Sequence, residues 1–282
     1  MGKFDGMLLV SDFDNTLLYT EAALRQQGET PTFCWRDLDG ISRWISQGGT
    51  FAVATGRAMM AFRPYAAIVP MNAPSIVDNG GAIYDFEREE FIVTTFLSPG
   101  AREHIAAVTA AFPCVALELY HPAPRERLQV FNPTPWNDQH AKLTGIGYEV
   151  ITAITPDVVP EPISKALFVA DRPILEAIVD MARQQGWSRN YELVFSSDHL
   201  LEMTAKGANK GDMVKRLQRE TGCDTLLCIG DHLNDLPMLR AADRAFCPAN
   251  AEEEVRLSGA QSVCHCLQGA VGEVIELLER GE

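Results

Sequence analysis

The feature that most constrains this chain is a short apolar run that ends in acids and opens a long alternation of extended and helical signals. Met7 to Phe13 (MLLVSDF) is apolar through Val10 and then meets Asp12 and Asp14. After a polar stretch, Trp35 to Ile45 carries apolar residues at 35, 38, 41, 44 and 45, a helical spacing that Gly48-Gly49 ends. Phe51 to Thr55 (FAVAT) predicts a second buried strand, Gly56 onward a helix start, and Ser75 to Val77 a third strand running into Asp78-Asn79-Gly80-Gly81. Strands that alternate with helices predict a parallel sheet.

The same grammar returns near the C-terminus. Lys210 to Arg219 places Met213, Val214 and Leu217 on one helical face, and Thr225 to Ile229 (TLLCI) is an apolar strand ending in Gly230-Asp231. A helix from about Asp235, strands around Ala245-Phe246-Cys247 and Ser262-Val263-Cys264, and a final helix from Ala270 to Leu278 complete the pattern. Between the two segments, proline concentrates at 122, 124, 133, 135, 156, 160 and 162. There, strand-like pieces such as Leu128 to Phe131 and Ala166 to Val169 alternate with helices such as Glu103 to Ala110 and Ile174 to Arg183. The expected fold class is α/β: a Rossmann-like, doubly wound parallel-sheet core built from 1–84 and 199–282, with an α+β domain of residues 85–198 inserted as a cap.

Composition narrows the function. With 46% apolar residues a buried core is assured, and a formal charge of −14 repels nucleic-acid backbones and anionic membranes alike. No apolar run approaches the roughly 18 residues of a membrane span, and the start predicts neither signal peptide nor anchor. Seven cysteines without a Cys-x-x-Cys pair suit buried thiols in a reducing compartment, so a cytoplasmic location is expected. Cys264-His265-Cys266 is read as ordinary thiols, because a metal site would need two further ligands.

In an open parallel sheet, ligands bind beyond the carboxyl ends of the strands. Those ends carry Asp12-Phe13-Asp14-Asn15-Thr16, Thr55-Gly56-Arg57, Asp78-Asn79-Gly80 and Gly230-Asp231-His232-Leu233-Asn234-Asp235, with Lys210 at a helix start. Two acids at i and i+2, with a third from another strand, make the oxygen-rich pocket that Mg²⁺ takes. Asp12, ionised at neutral pH, suits a nucleophile toward phosphorus, and Asp14 a general acid and base. Thr55 supplies a hydroxyl, the Gly56 region backbone N–H groups, and Lys210 a point charge for phosphate oxygens. His232 is read as a loop residue. Tyr120, His121, Arg125 and Trp136 of the insertion are read as surface or packing residues.

Asp12-x-Asp14-x-Thr16, Thr55-Gly56-Arg57, a Lys-Gly helix start and Gly230-Asp231-x-x-Asn234-Asp235, in that order, resemble the haloacid dehalogenase superfamily of aspartate-nucleophile phosphatases. The insertion between the second and third motifs, Asn79-Gly80-Gly81 and Pro248-Ala249-Asn250-Ala251 look like its Cof-type branch, which carries a large α/β cap at that point. The resemblance implies Asp12 as nucleophile and Asp14 as acid and base. It implies Mg²⁺ on the Asp12 carboxylate, the Asp14 carbonyl and Asp231, with Asp235 and Asn234 close by. Thr55 and Lys210 would hold the phosphoryl group, and Gly56, Arg57, Asn79 and Asn234 would join the phosphate or substrate site. Asn15 stands where the branch usually has glycine, and asparagine tolerates left-handed backbone angles better than most residues. Lys206-Gly207 competes with Lys210-Gly211, and the periodic helix favours Lys210. The expected activity is Mg²⁺-dependent hydrolysis of a small phosphorylated metabolite, a sugar phosphate among the candidates. Transfer of the phosphoryl group to a sugar hydroxyl, as in a phosphomutase, and non-catalytic binding of a phosphometabolite are the alternatives.

Overall fold

The computed structural model describes residues 2–20, 31–122 and 128–282. The chain forms two compact units, one made of Met1–Ile92 with Lys210–Glu282 and the other of Val93–Asn209. The first unit opens with β1 (Met7–Ser11), α1 (Trp35–Ser46), β2 (Thr50–Val53), α2 (Met59–Ala66), β3 (Ser75–Val77), β4 (Ala82–Asp85) and β5 (Glu90–Thr94), the last reaching the division. The second contains α3 (Ala101–Ala111), β6 (Ala116–Tyr120), β7 (Leu128–Phe131), α4 (Pro135–Thr144), β8 (Tyr148–Ile151), β9 (Lys165–Val169), α5 (Arg172–Gln184), β10 (Tyr191–Ser197) and β11 (Leu200–Ala205). The first unit then resumes with α6 (Lys210–Thr221), β12 (Thr225–Ile229), α7 (Leu236–Ala241), β13 (Arg244–Pro248), α8 (Glu253–Arg256), β14 (Gln261–Val263) and α9 (Ala270–Arg280).

Among the described residues, the first unit's main sheet has the order β14-β13-β12-β1-β2, every pairing parallel. Leu8, Leu9 and Val10 of β1 and Leu226 to Ile229 of β12 are fully buried, the unbroken apolar run of strands covered on both faces. The chain winds outward from β1 to β2 on one side and from β12 to β14 on the other. The strand order therefore reverses between β1 and β12, which is where ligands collect in such sheets. This is the doubly wound core expected from the sequence. The third predicted strand departs from it, because β3 meets the main sheet only through a bridge of Ala54 with Ile76 and otherwise pairs antiparallel with β4.

The second unit is built on a sheet of order β10-β11-β9-β6-β7-β8, antiparallel apart from β7 with β8. Leu117, Leu119 and Phe168 on one face join Ile105 and Val108 of α3 and Leu175, Ile178 and Val179 of α5 in one core. Glu118 points the other way, as alternation along a strand requires, and accepts hydrogen bonds from Tyr120 Oη and from Asn137 of α4 while pairing with His140. His121 and Trp136 lie in this unit too, and Arg125 falls outside the described residues. The unit's limits lie further along the chain than 85 and 198. Residues after 85 still belong to the small β3-β4-β5 sheet, and β11 is held between β9 and β10 rather than returning to the parallel core. No helix among the described residues is long and apolar enough to cross a membrane.

Helices α1 and α9 pack so closely that a Cβ on Gly272 would come within 2.6 Å of the Arg36 carbonyl oxygen. Asp37 of α1 is fully buried there, and its Oδ1 accepts from the Gly272 N–H at 2.8 Å, satisfying one of the open donors at the start of α9. Its Oδ2 finds no hydrogen-bond partner among the described residues. Burial outweighs the backbone donors and lifts this carboxyl from 3.8 to about 7. The folded chain thus holds a proton that the unfolded chain releases, so this group's contribution falls as pH rises through that interval and levels off above it. Asp37→Asn should gain stability relative to the parent between pH 5 and 8, by roughly 1–3 kcal/mol, in denaturant titrations at each pH. Parallel pH profiles for the two proteins would contradict this.

Candidate active site

The strand β1 ends beside β12, where the Asp12 N–H donates to the Ile229 carbonyl at 2.9 Å. Phe13, between Asp12 and Asp14, is fully buried and packs on Phe62 and Tyr65, each ring centroid 5.0 Å away. The following loop needs a left-handed residue, and Asn15 supplies it with φ of 57°. Asn250, from the Pro248-Ala249-Asn250-Ala251 turn, donates to the Asn15 carbonyl at 2.7 Å and accepts from the Cys266 N–H at 3.0 Å. That turn therefore braces the loop carrying the two acids. Sequence reasoning assigns Thr16 no role of its own, yet it is buried and its hydroxyl donates to Asp231 Oδ1 at 3.0 Å.

Lys210 begins α6 and is almost completely buried, its Nζ donating to Asp12 Oδ1 at 2.5 Å and to Asp235 Oδ1 at 2.6 Å. The glycine after it has a packing reason, since a Cβ on Gly211 would lie 2.6 Å from the Pro237 carbonyl oxygen at the start of α7. Lys206 instead pairs with Glu192 of the second unit. Asp235 spends its other oxygen, Oδ2, on the N–H groups of Asp231 and His232, both at 3.0 Å. Gly230 makes that turn possible, because a Cβ there would sit 2.6 Å from the Asp235 side chain. Asp235 is thus an anchor for Lys210 and for the loop that presents Asp231. His232 pairs with Glu252 at 2.7 Å.

Asp12, Asp231 and Asp235 each place a carboxylate oxygen within 4.8 Å of the others, all buried, the one such acidic group among the described residues. Burial, followed by the charge of Asp235, pushes Asp12 up to about 7 against the pull of Lys210. Burial and the charges of Asp12 and Asp235 likewise raise Asp231. For Lys210 burial works against the charge, but Asp12 and Asp235 outweigh it and keep the ammonium protonated. One cation among three acids leaves the cluster short of positive charge, and its donors are all oxygens. That chemistry fits a hard divalent cation held by Asp12 and Asp231.

On the neighbouring strand ends, Thr55 is fully buried and its Oγ1 accepts from the Arg57 N–H at 3.0 Å. This local turn displaces the helix start from Gly56 to α2 at Met59. The Arg57 side chain turns away to Asp14, with Nε and Nη2 on the two carboxylate oxygens at 2.9 and 2.6 Å. Asp78, Asn79 and Gly80 hold φ of 53°, 55° and 96°, a strained run over Thr55 and Gly56. Asn79 N–H donates to the Thr55 carbonyl at 3.0 Å, its Oδ1 accepts from Asn234 at 2.8 Å, and its buried Nδ2 finds no hydrogen-bond partner among the described residues. A Cβ on Gly56 would touch that Nδ2 at 3.1 Å, so glycine is what lets Asn79 lie there. The structure thus joins Asp12, Asp231, Asp235, Lys210 and Thr16 in one cluster, and Thr55, Gly56, Asn79 and Asn234 in an adjoining one. Arg57 and Asp14 are bound to each other.

A family model of haloacid dehalogenase-like hydrolases matches residues 9–267. The chain belongs to that family. Over 275 residues it is 27% identical to the HMP-PP phosphatase of Cronobacter sakazakii, covering 94% of this chain and 92% of that protein. Its fold is similar to a haloacid dehalogenase-like hydrolase from Bacteroides thetaiotaomicron, with TM-score 0.77 at 21% identity over 98% of this chain and 99% of the other. It is also similar to the subclass IIB sugar phosphatase BT4131, with TM-score 0.80 at 15% identity over 97% and 99% of the two chains. The chain is an enzyme of the phosphatase kind within this family.

The crowding of like charges has a measurable consequence. A hard divalent cation of the kind this oxygen-rich cluster fits, tested as Mg²⁺, should raise the melting temperature of the parent protein by mass action, as any ligand of the folded state does. Asp231→Asn should melt higher than the parent in EDTA, because it removes one of the repelling acids, and should lose most of the Mg²⁺-induced rise. A variant that is less stable in EDTA and still responds fully to Mg²⁺ would contradict the assignment of Asp231.

Proposed function

We propose that the chain is a Mg²⁺-dependent phosphomonoesterase that hydrolyses small phosphorylated metabolites, sugar phosphates among them, through an aspartyl phosphate on Asp12. The observation that carries this reading is the buried Lys210 ammonium between Asp12 and Asp235, with Asp231 alongside. It gives a carboxylate fixed in direction together with a charge suited to phosphate oxygens. Mg²⁺ would be held by the Asp12 and Asp231 carboxylates and the Asp14 carbonyl, and when bound it neutralises phosphate charge beside the acids.

Asp12 attacks phosphorus, and as the new O–P bond forms, the bond to the ester oxygen breaks. The departing oxygen takes the electron pair and a proton from Asp14. A water molecule then gives a proton to Asp14 and attacks the same phosphorus. The bond to Asp12 breaks, releasing inorganic phosphate and restoring the carboxylate. Lys210 holds phosphoryl oxygens throughout, joined by the Thr55 hydroxyl and the open Asn79 Nδ2 donor. Thr16 and Asp235 keep Asp231 and Lys210 in place. Small phosphate esters are the proposed substrates because the relatives are named as phosphatases of HMP-PP and of sugars.

Phosphate release should be measured with Mg²⁺ and with EDTA on sugar phosphates, nucleotides, pyridoxal phosphate and flavin mononucleotide. Turnover should require Mg²⁺, and Asp12→Asn should lower kcat by at least roughly a thousandfold. Lys206→Ala should stay near the parent rate while Lys210→Ala loses activity and phosphate affinity. Near-parent activity in Asp12→Asn would remove the nucleophile from this scheme.

A further inference from the structure

We propose that Arg57 is a positioning residue that fixes how Asp14 presents its carboxylate, and that it is not a ligand of substrate phosphate. The inference deepens the proposed function and rests on Asp14 as the proton donor to the leaving oxygen.

Arg57 is restrained at three levels. Its N–H is tied to Thr55 Oγ1 at 3.0 Å. Its guanidinium carbon lies 5.0 Å from the ring centre of Phe13 and 4.8 Å from that of Tyr65. Its Nε and Nη2 then close a two-pronged bond on Asp14 at 2.9 and 2.6 Å. Phe13, the buried residue between the two acids, thus also supports the arginine. The Arg57 side chain is 15% exposed and that of Asp14 is 36% exposed. The carboxylate is therefore the freer partner, and without the fork it would sample other rotamers in water.

Proton transfer to a leaving oxygen demands hydrogen-bond reach and direction, and a misplacement of about 1 Å can cost on the order of 100-fold. A planar fork defines both the distance and the plane of a carboxylate, which a lysine ammonium cannot do. The same geometry argues against phosphate binding. The two N–H groups that form the side-on face of the guanidinium are already spent on Asp14, and Nη1 is buried without a hydrogen-bond partner among the described residues, so a phosphate meets Arg57 end-on at Nη1 alone unless it displaces the acid from the two-pronged face.

The test is the dependence of kcat/KM on the leaving group, because kcat/KM ends at the step in which the ester oxygen departs. Aryl phosphates with acidic leaving groups, such as p-nitrophenyl phosphate, need little protonation, whereas alkyl phosphates need it fully. Arg57→Ala, Arg57→Lys, Asp14→Asn and the double variant Arg57→Ala/Asp14→Asn would be compared with the parent, with inhibition by inorganic phosphate measured alongside.

Arg57→Ala should lose on the order of 100-fold with alkyl phosphates and less than about 10-fold with p-nitrophenyl phosphate. Arg57→Lys should show the same selectivity to a smaller degree, which keeps the test valid if the alanine variant folds poorly. The double variant should be no worse than Asp14→Asn, and inhibition by phosphate should change by less than about threefold in Arg57→Lys. Equal losses across leaving groups in the Arg57 variants, with Asp14→Asn remaining selective, would overturn the positioning role, and weakened phosphate inhibition would return Arg57 to the phosphate site. An Asp14→Asn variant that shows no leaving-group selectivity would instead remove Asp14 as acid, and this inference with it.

Discussion

The site depends on one buried ion cluster, the Lys210 ammonium shared by Asp12 and Asp235. Taking these groups out of water is costly, and the cost is offset only because each charge has a partner at hydrogen-bond distance. Removing the lysine would leave two acids buried without compensation, a loss of about 3–5 kcal/mol for a broken buried pair. The arrangement also confines the position of Asp12. One of its oxygens is held by Lys210, and its backbone is fixed to the end of β12.

Topology explains why these residues meet. The strand order reverses between β1 and β12, so their ends stand side by side although Asp12 and Asp231 are separated by most of the chain. Around this meeting point the loops are locked by one-residue devices. Asn15 adopts the left-handed angle, Asn250 ties down its carbonyl, Gly230 clears space for Asp235, and Gly56 clears space for Asn79. Asn15 and the two glycines place backbone where an ordinary residue would strain or clash. The acids are thus held by their loops before any ligand arrives, which is what a preorganised charge site requires.

Much of this was legible in the amino-acid order. Apolar runs that end in acids mark parallel strands by their continuity, and the face formed by Met213, Val214 and Leu217 separates Lys210 from Lys206. What periodicity does not carry is the identity of a side chain's distant partner. Nothing local tells that Arg57 turns to Asp14, that Thr16 reaches Asp231, or that Asp235 spends both oxygens on Lys210 and the loop. The limits of the insertion were hidden for a related reason. An apolar segment such as Leu200–Ala205 reads as a strand in either unit, and only its register with β9 and β10 assigns it.

The central claim is that Asp12 captures phosphorus, and chemical trapping addresses it most directly. Enzyme turning over substrate with Mg²⁺ would be quenched in acid, reduced with borohydride and mapped by peptide mass spectrometry. An acyl phosphate is reduced to the alcohol, so homoserine at position 12, dependent on substrate, is the predicted result. Steady turnover with position 12 unmodified and the reduced residue elsewhere in the chain would contradict the account.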